Sequence, residues 1–114
     1  MALRINIMAA THKKLASGQL GDDVTTDAAI YDPSSVTGLV KTVVLHNTNS
    51  TDEVASIYFN GTAAADRMLK DTLQADETFE WAVGHLVSVL DAETLKGEST
   101  TASKVNYFIF GAEE

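Results

Sequence analysis

The sequence predicts an all-β domain, an antiparallel β-sandwich or jelly-roll-like fold of about eight or nine short strands with an N-terminal arm. Apolar and polar side chains alternate with a period of two over short segments, which is typical of half-buried strands. Turn-forming residues recur about every ten residues, the spacing expected of sandwiches and jelly rolls. The chain has 114 residues, which suits one domain, and we place it at 14–114 behind an arm of residues 1–13.

Five segments carry the strand pattern. Leu39–His46 is rich in β-branched residues, and Val54–Asn60 and Thr78–Val83 alternate apolar and polar side chains. Val105–Phe110 is a strongly apolar closing segment. We also expect a strand over about Arg67–Leu73, entered from a loop.

Turn signals fall between these segments, and for two further regions the sequence allows two alternative structures. Asn60–Gly61 is a pair typical of tight turns, Asp91–Glu93 breaks an apolar run, and Lys96–Ser99 precedes the last strand, so we expect turns at all three. Ala63–Lys70 has helix-forming composition, so a helix of about two turns at most is the alternative to a loop. Lys14–Leu20 is either a first strand or part of the extended arm.

The acidic balance of the chain argues against a nucleic-acid partner. Eight Lys and Arg stand against 16 Asp and Glu, a net charge of −8. Phosphate backbones are bound mainly through Lys and Arg, so we expect no nucleic acid. No segment approaches the roughly 18 apolar residues of a membrane helix, so we expect no membrane partner. An acidic surface favours solubility and can also meet a basic surface on another protein.

Residue types and spacings typical of catalysis or metal binding are missing. The chain has no cysteine, and its motifs include neither a GxSxG elbow nor a glycine-rich phosphate loop. His12, His46 and His85 fall in three different predicted elements without metal-ligand spacing. Asp52–Glu53 and the acidic segment Asp22–Asp27 are interpreted as solvated turns, since the latter lacks the spacing of a calcium loop. We therefore predict no enzyme, no cofactor and no metal.

The closing segment is apolar on both faces. Phe108 and Phe110 alternate with Tyr107 and Ile109, so the two pairs point to opposite sides of a strand. Such a strand is either buried on both sides within the domain or lies at a subunit contact. Phe108 and Phe110 are therefore candidate interface residues.

The N-terminal arm carries the other interface candidates. Leu3, Ile5 and Ile7 alternate along it, as in a strand with one apolar face. An extended segment of this kind can add a strand to the sheet of a neighbouring subunit. These three residues are therefore predicted to contact another chain.

Seven strand and turn segments follow one another along the chain: Lys14–Leu20, Ala28–Tyr31, Gly38–Thr48, Ile57–Thr62, Arg67–Leu69, Leu73–Trp81 and Val105–Gly111. Together they resemble small virion proteins of tailed bacteriophages. The resemblance covers about residues 14 to 111. Its strand and turn patterns are not catalytic signatures and offer no functional residues to transfer. The chain departs from the family at Asp32–Ser34 and Ala82–Leu86.

This resemblance implies a structural virion protein, most specifically a capsid decoration (cement) protein that binds neighbouring capsid subunits. It implies the major capsid protein or another virion protein as partner, assembly in the host cytoplasm and location in the virion. We expect a homo-oligomer, most specifically a trimer because fibres and many shell sites have threefold symmetry, with a dimer or a monomer as the alternatives. The alternative function is a tail, fibre or baseplate module recognising a protein or a glycan, in which Phe79 and Trp81 could form a sugar platform. A third hypothesis is a small metal-dependent enzyme on a jelly-roll scaffold, and the spacing of the histidines argues against it.

Overall fold

The computed structural model describes residues 12–114, without the side chains of residues 83–87. Two antiparallel sheets pack together, so the predicted all-β sandwich is confirmed. A short 3-10 helix, Ala64–Asp66, precedes the fourth strand. The strands of the described chain are β1 (Lys13–Gln19), β2 (Gly38–Asn47), β3 (Glu53–Phe59), β4 (Arg67–Leu73), β5 (Thr78–Val89), β6 (Leu95–Ser99) and β7 (Val105–Glu113).

The strand order is that of a jelly roll. The first sheet has the order β1-β7-β2-β5 and the second has the order β4-β3-β6. In a jelly roll the first strand pairs with the last and the second with the next to last. Here β1 pairs with β7, and Tyr31 forms an isolated antiparallel bridge to Leu95 of β6. The seven strands and this bridge together occupy the eight strand positions of a jelly roll, and the second position is reduced to the bridge at Tyr31.

Alternate side chains of both sheets meet in one core. Val43 and Leu45 of β2 and Ile57 of β3 have no exposed surface. Phe79 and Trp81 of β5 are partly buried and pack against the same cluster. Burial of such side chains stabilises a fold by roughly 1.5–3 kcal/mol each, so this alternation, visible in the sequence, accounts for the sandwich.

The prediction of a turn at Lys96–Ser99 is wrong, because this segment lies within β6. Leu95, Gly97 and Ser99 point inward and Lys96 and Glu98 point outward, which is the period-two pattern of a strand. The backbone of Gly97 passes close to the core: a Cβ there would lie 2.9 Å from Leu20 Cδ2. A glycine in a strand often marks such a close approach, and here it was mistaken for a turn signal.

The segment between Arg67 and Leu73 is the predicted strand. The preceding residues form a loop with one 3-10 turn, so the two-turn helix considered for Ala63–Lys70 does not form. Turns also lie at Asp91–Ala92 and around Asn60, as predicted. Within the described part of the chain, no helix is long and apolar enough to cross a membrane.

The segment after β1 partly covers the outer face of the second sheet. Glu98 on this face accepts hydrogen bonds from the Tyr58 hydroxyl at 2.8 Å and from the backbone N–H of Val24 at 3.2 Å. Val24 and Tyr58 are both buried. Among the described residues, the outer face of the first sheet carries the exposed side chain of Phe110.

Two β-bulges shape one end of the first sheet. On β2, Val40 pairs with Gly111 and Thr42 with Phe110, so Lys41 is an extra, exposed residue. A second irregularity follows Lys14 on β1, the edge strand. These bulges bring lysines from two strands beside Phe110.

Residues 1–11 lie outside the described chain. The interface prediction for Leu3, Ile5 and Ile7 falls on them and stays a prediction. The described chain begins at His12, and β1 begins at Lys13, which pairs with Gly111. The first strand expected around Lys14–Leu20 is therefore present.

Candidate interaction surface

The outer face of the first sheet is apolar at its centre. Phe108 and Phe110 of β7 project from it beside Val44 and Thr42 of β2, their cross-strand partners. Phe110 is 38% exposed, while Phe108 and Val44 are half-buried. Ile109 between the two phenylalanines is fully buried in the core. Both interface candidates of the closing strand thus share one outward face, which we call the outer aromatic face (Val44, Phe108 and Phe110).

A basic groove borders this face at Phe110. Its volume is about 360 Å³, and we call it the lysine groove. It holds three of the eight Lys and Arg residues of an acidic chain. Its lining residues are His12, Lys13, Lys14, Lys41, Thr42, Phe110 and Gly111.

The lysines of the groove differ in their partners. Lys13 Nζ lies 2.9 Å from a carboxylate oxygen of Glu113. Lys14 and Lys41 form no ion pair with any described residue, and both are exposed. The positive charge of these two lysines is therefore uncompensated by the described chain and available to an anionic group.

A hydrogen-bonded triad fixes Lys13 beside the groove. Glu113 accepts a hydrogen bond from the Tyr31 hydroxyl at 2.9 Å as well as from Lys13. The bond from Lys13, followed by the bond from Tyr31, lowers the pKa of Glu113 below its usual range. Burial, reinforced by the Glu113 carboxylate, raises the pKa of Tyr31 above its usual range. The triad thus favours a charged Glu113 and a neutral Tyr31.

The opposite edge of the outer aromatic face is polar and partly acidic. Glu80 of β5 pairs with Val44 and is exposed. Further along, His46 Nδ1 lies 2.8 Å from Thr78 Oγ1, and His46 Nε2 lies 3.2 Å from an Asp76 carboxylate oxygen. An apolar centre between polar rims is the usual anatomy of a protein–protein interface.

A second exposed apolar side chain lies in the turn after β5. Leu90 is 51% exposed. Its backbone N–H donates to Glu93 Oε1 and its carbonyl accepts from the Glu93 N–H, both at 2.9 Å. Ala92 within the turn has φ 136°, a region that favours glycine. Sequence reasoning found the turn but missed Leu90, whose signal was a large apolar residue directly before Asp91.

A polar depression of about 280 Å³ lies on the outer face of the second sheet. It contains both signs of charge, with Arg67 and Lys70 facing Asp22 and Glu98. Because these charges oppose one another, the depression has no clear preference for an anion or a cation. It is a weaker candidate than the outer aromatic face.

Neither metal binding nor sugar stacking finds support in the described residues. Among them, no group of three or more His, Cys, Asp or Glu side chains is placed to hold a metal ion. Phe79 and Trp81, the possible sugar platform, pack against the core. His46 belongs to the rim of the outer aromatic face, and His12 lines the lysine groove. The arrangement is suited to contact with another macromolecule.

Comparisons of the chain with protein-family models, with curated proteins and with solved structures find no match. The resemblance to virion proteins therefore depends only on the segments that carry it. The function has to be inferred from the surface.

Proposed function

We propose that the protein is a structural component of a tailed-phage virion, a capsid decoration protein that binds and stabilises neighbouring capsid subunits. The observation that carries the proposal is the outer aromatic face, which the described part of the chain leaves partly exposed, with Phe110 at 38%. The resemblance of the strand and turn segments to virion proteins supports the same assignment. The partner is the major capsid protein or another virion protein.

Burial of the outer aromatic face supplies the driving force for attachment. Apolar surface removed from water contributes roughly 25 cal/mol per Å². Stable interfaces bury about 800 Å² on each partner, so Phe108 and Val44 form the centre of a larger footprint on the shell. A shell presents many equivalent sites, and an oligomer that engages several at once multiplies a modest affinity. The part of the predicted arm that precedes the described chain, residues 1–11, is proposed to add a further contact.

Binding to shells tests the proposal directly. Shells of the phage that encodes the chain, prepared without it, are mixed with the purified protein and sedimented. We expect saturable co-sedimentation, weakened at least about tenfold by Phe108→Asp, because a charge at the centre of an interface is poorly tolerated. Thr72→Asp, which places the same charge on an exposed position of β4, is the matched control and should bind normally.

Removing the N-terminal arm separates its contribution from that of the sheet. Deletion of residues 1–11 leaves β1 intact, so the variant should keep its strand-rich circular dichroism spectrum while binding shells more weakly. Unchanged binding would remove the arm from the interface. If the chain is absent from purified particles and binds specifically to isolated tails or to a glycan, the decoration function is wrong and the tail or fibre function takes its place.

A further inference from the structure

We propose that copies of this chain associate through a contact in which the Leu90 turn of one copy occupies the lysine groove of the next. The inference deepens the proposed function, since it names one neighbour that covers the Phe110 end of the outer aromatic face. Phe108 and Val44 are left for the shell. The contact itself joins two copies of the chain and can be measured without any particle.

The two halves of the contact are matched in apolar character. Leu90, at 51%, and Phe110, at 38%, are the large apolar side chains that the described chain leaves exposed. Leu90 does not line the groove around Phe110, so within the described chain the turn and the groove do not contact each other. Contact between the turn of one copy and the groove of another would bury both side chains together.

The charges around the two side chains are opposite. Lys14 and Lys41 stand in the groove without an acidic partner in the described chain. The turn presents Asp91 and Glu93 directly after Leu90, and Asp91 makes no described ion pair or side-chain hydrogen bond. Complementary charge steers association and fixes its register. Since the whole chain carries −8, copies that approach through other surfaces repel one another.

The turn is held in one conformation before it binds. Two hydrogen bonds between Leu90 and Glu93 close it, and Ala92 is kept at φ 136°. Strained backbone of this kind is concentrated at functional sites. A turn that is already ordered loses little conformational entropy on binding.

The groove and the turn are different surfaces, which determines the possible assemblies. The groove lies among β1, β7 and β2, whereas the turn follows β5. Two reciprocal contacts would give a twofold dimer, and onward contacts would close a ring such as the expected trimer. In either form, each copy offers one groove and one turn.

Sedimentation velocity of the isolated protein over a concentration series measures the contact. The wild-type chain should self-associate, and Leu90→Ser, Asp91→Lys and Lys41→Glu should each weaken association at least about tenfold. Lys104→Glu carries the same charge change as Lys41→Glu at an exposed position outside the groove and should associate normally. Circular dichroism verifies that each variant is folded.

Two combinations make the test specific. Asp91→Lys with Lys41→Glu in one chain reverses both charges and should restore much of the association. A mixture of Leu90→Ser and Lys41→Glu chains should give dimers and nothing larger, because one intact turn meets one intact groove. A wild-type chain that stays monomeric, or turn and groove variants that associate like the wild type, would overturn the inference. Shell binding by a monomeric chain would leave the proposed function standing.

Discussion

Asn47, at the end of β2, joins three parts of the chain through one buried amide. Its side chain has no exposed surface. The amide nitrogen lies 2.9 Å from the carbonyl oxygen of Thr51, 3.1 Å from that of Leu73 and 3.0 Å from that of Gln74. Its Oδ1 accepts from the Asn49 N–H at 2.8 Å. The amide thus ties the β2–β3 connection to the end of β4.

Asn47→Ala should lower the free energy of unfolding by about 2–4 kcal/mol, because it leaves several buried backbone groups without a partner. Urea denaturation followed by circular dichroism measures the loss. Asn106→Ala is the matched control, since the Asn106 amide oxygen accepts one exposed bond, from Gln19. A loss at position 47 no greater than at position 106 would contradict the structural role of the buried amide.

Glu53 is a second buried polar residue beside this connection, and its burial corrects the prediction of a solvated turn at Asp52–Glu53. It is 1% exposed, and its carboxylate accepts from the Thr101 N–H at 2.7 Å and from the Asn49 amide at 3.1 Å. Its two donors lie outside the strands, one before β3 and one after β6. The hydrogen bonds of Glu53 therefore depend on the pairing of β3 with β6 in the sheet. Polar residues in a turn-like segment look solvated when the sequence is considered alone.

The pairing of β2 with β7 depends on a glycine at the Lys41 bulge. A Cβ at Gly111 would overlap the carbonyl oxygen of Leu39 and come within 3.2 Å of the Lys41 backbone nitrogen. Both neighbours are backbone atoms of the adjacent strand, so a side chain at this position forces the strands apart. The same bulge places Lys41 in the lysine groove.

Gly111→Ala should therefore lower the free energy of unfolding by about 2–4 kcal/mol. Gly18→Ala tests the same substitution in the same sheet, where the new methyl group would meet the side chain of Tyr107, at 2.9 Å from its hydroxyl oxygen. That side chain can move, so the loss should be smaller. Thermal unfolding of the two variants compares them, and equal losses would argue against a backbone clash at Gly111.

Elements with strong alternation could be predicted from the sequence, and those set by tertiary contacts could not. The alternation at Val54–Asn60 and the β-branched run at Leu39–His46 predicted β3 and β2 because their inward residues are large and apolar. In β6 the inward positions include Gly97 and Ser99, so the pattern carries little hydrophobic signal. The Tyr31 bridge likewise forms only because β6 is present to receive it.

Only part of the candidate surface could be predicted from the sequence. Phe108 and Phe110 were identified because strand periodicity places them together on the face opposite Ile109. The lysine groove was not predicted, since it combines Lys14 of β1 with Lys41 of β2. Both strands pair with β7, and the register that aligns them includes two bulges. Bulges are not evident from residue types alone.

At the scale of the molecule, the triad of Lys13, Glu113 and Tyr31 ties the first and last strands to the segment between β1 and β2. Its contacts join residues far apart in the chain, since Tyr31 and Glu113 have a sequence separation of 82. Lowering of the Glu113 pKa means that the folded state binds this proton less readily than the unfolded state. The stabilisation is therefore present above the usual carboxyl pKa and is lost as the pH falls through the lowered value.

We expect Glu113→Gln to destabilise the protein at about pH 7 and to have progressively less effect as the pH falls through the lowered pKa of Glu113, where the wild-type carboxyl becomes protonated. Urea midpoints of the wild type and the variant, measured across this pH range, give the difference in stability between them. The contributions of the other carboxyl groups largely cancel in this difference, because both proteins contain them. Lys13→Met should show a similar pH dependence, since Lys13 contributes most to the lowered pKa. Lys14→Met, which removes no ion pair, is the control. A difference that does not change with pH would contradict the coupling.

The single bridge at Tyr31 also bears on where the molecule opens most readily. The segment between β1 and β2 is held to β6 at separate points and not by a continuous ladder: Leu95 exchanges backbone bonds with Ile30 and Tyr31, and at the other end of β6 the Ser99 N–H donates to the Gly21 carbonyl oxygen and Glu98 accepts from the Val24 N–H. Local unfolding begins where the fewest contacts have to break. The segment around Tyr31 should therefore detach from β6 transiently while the strands of the first sheet stay paired. Released there, the chain would present an unpaired strand edge, a natural template for pairing with another polypeptide.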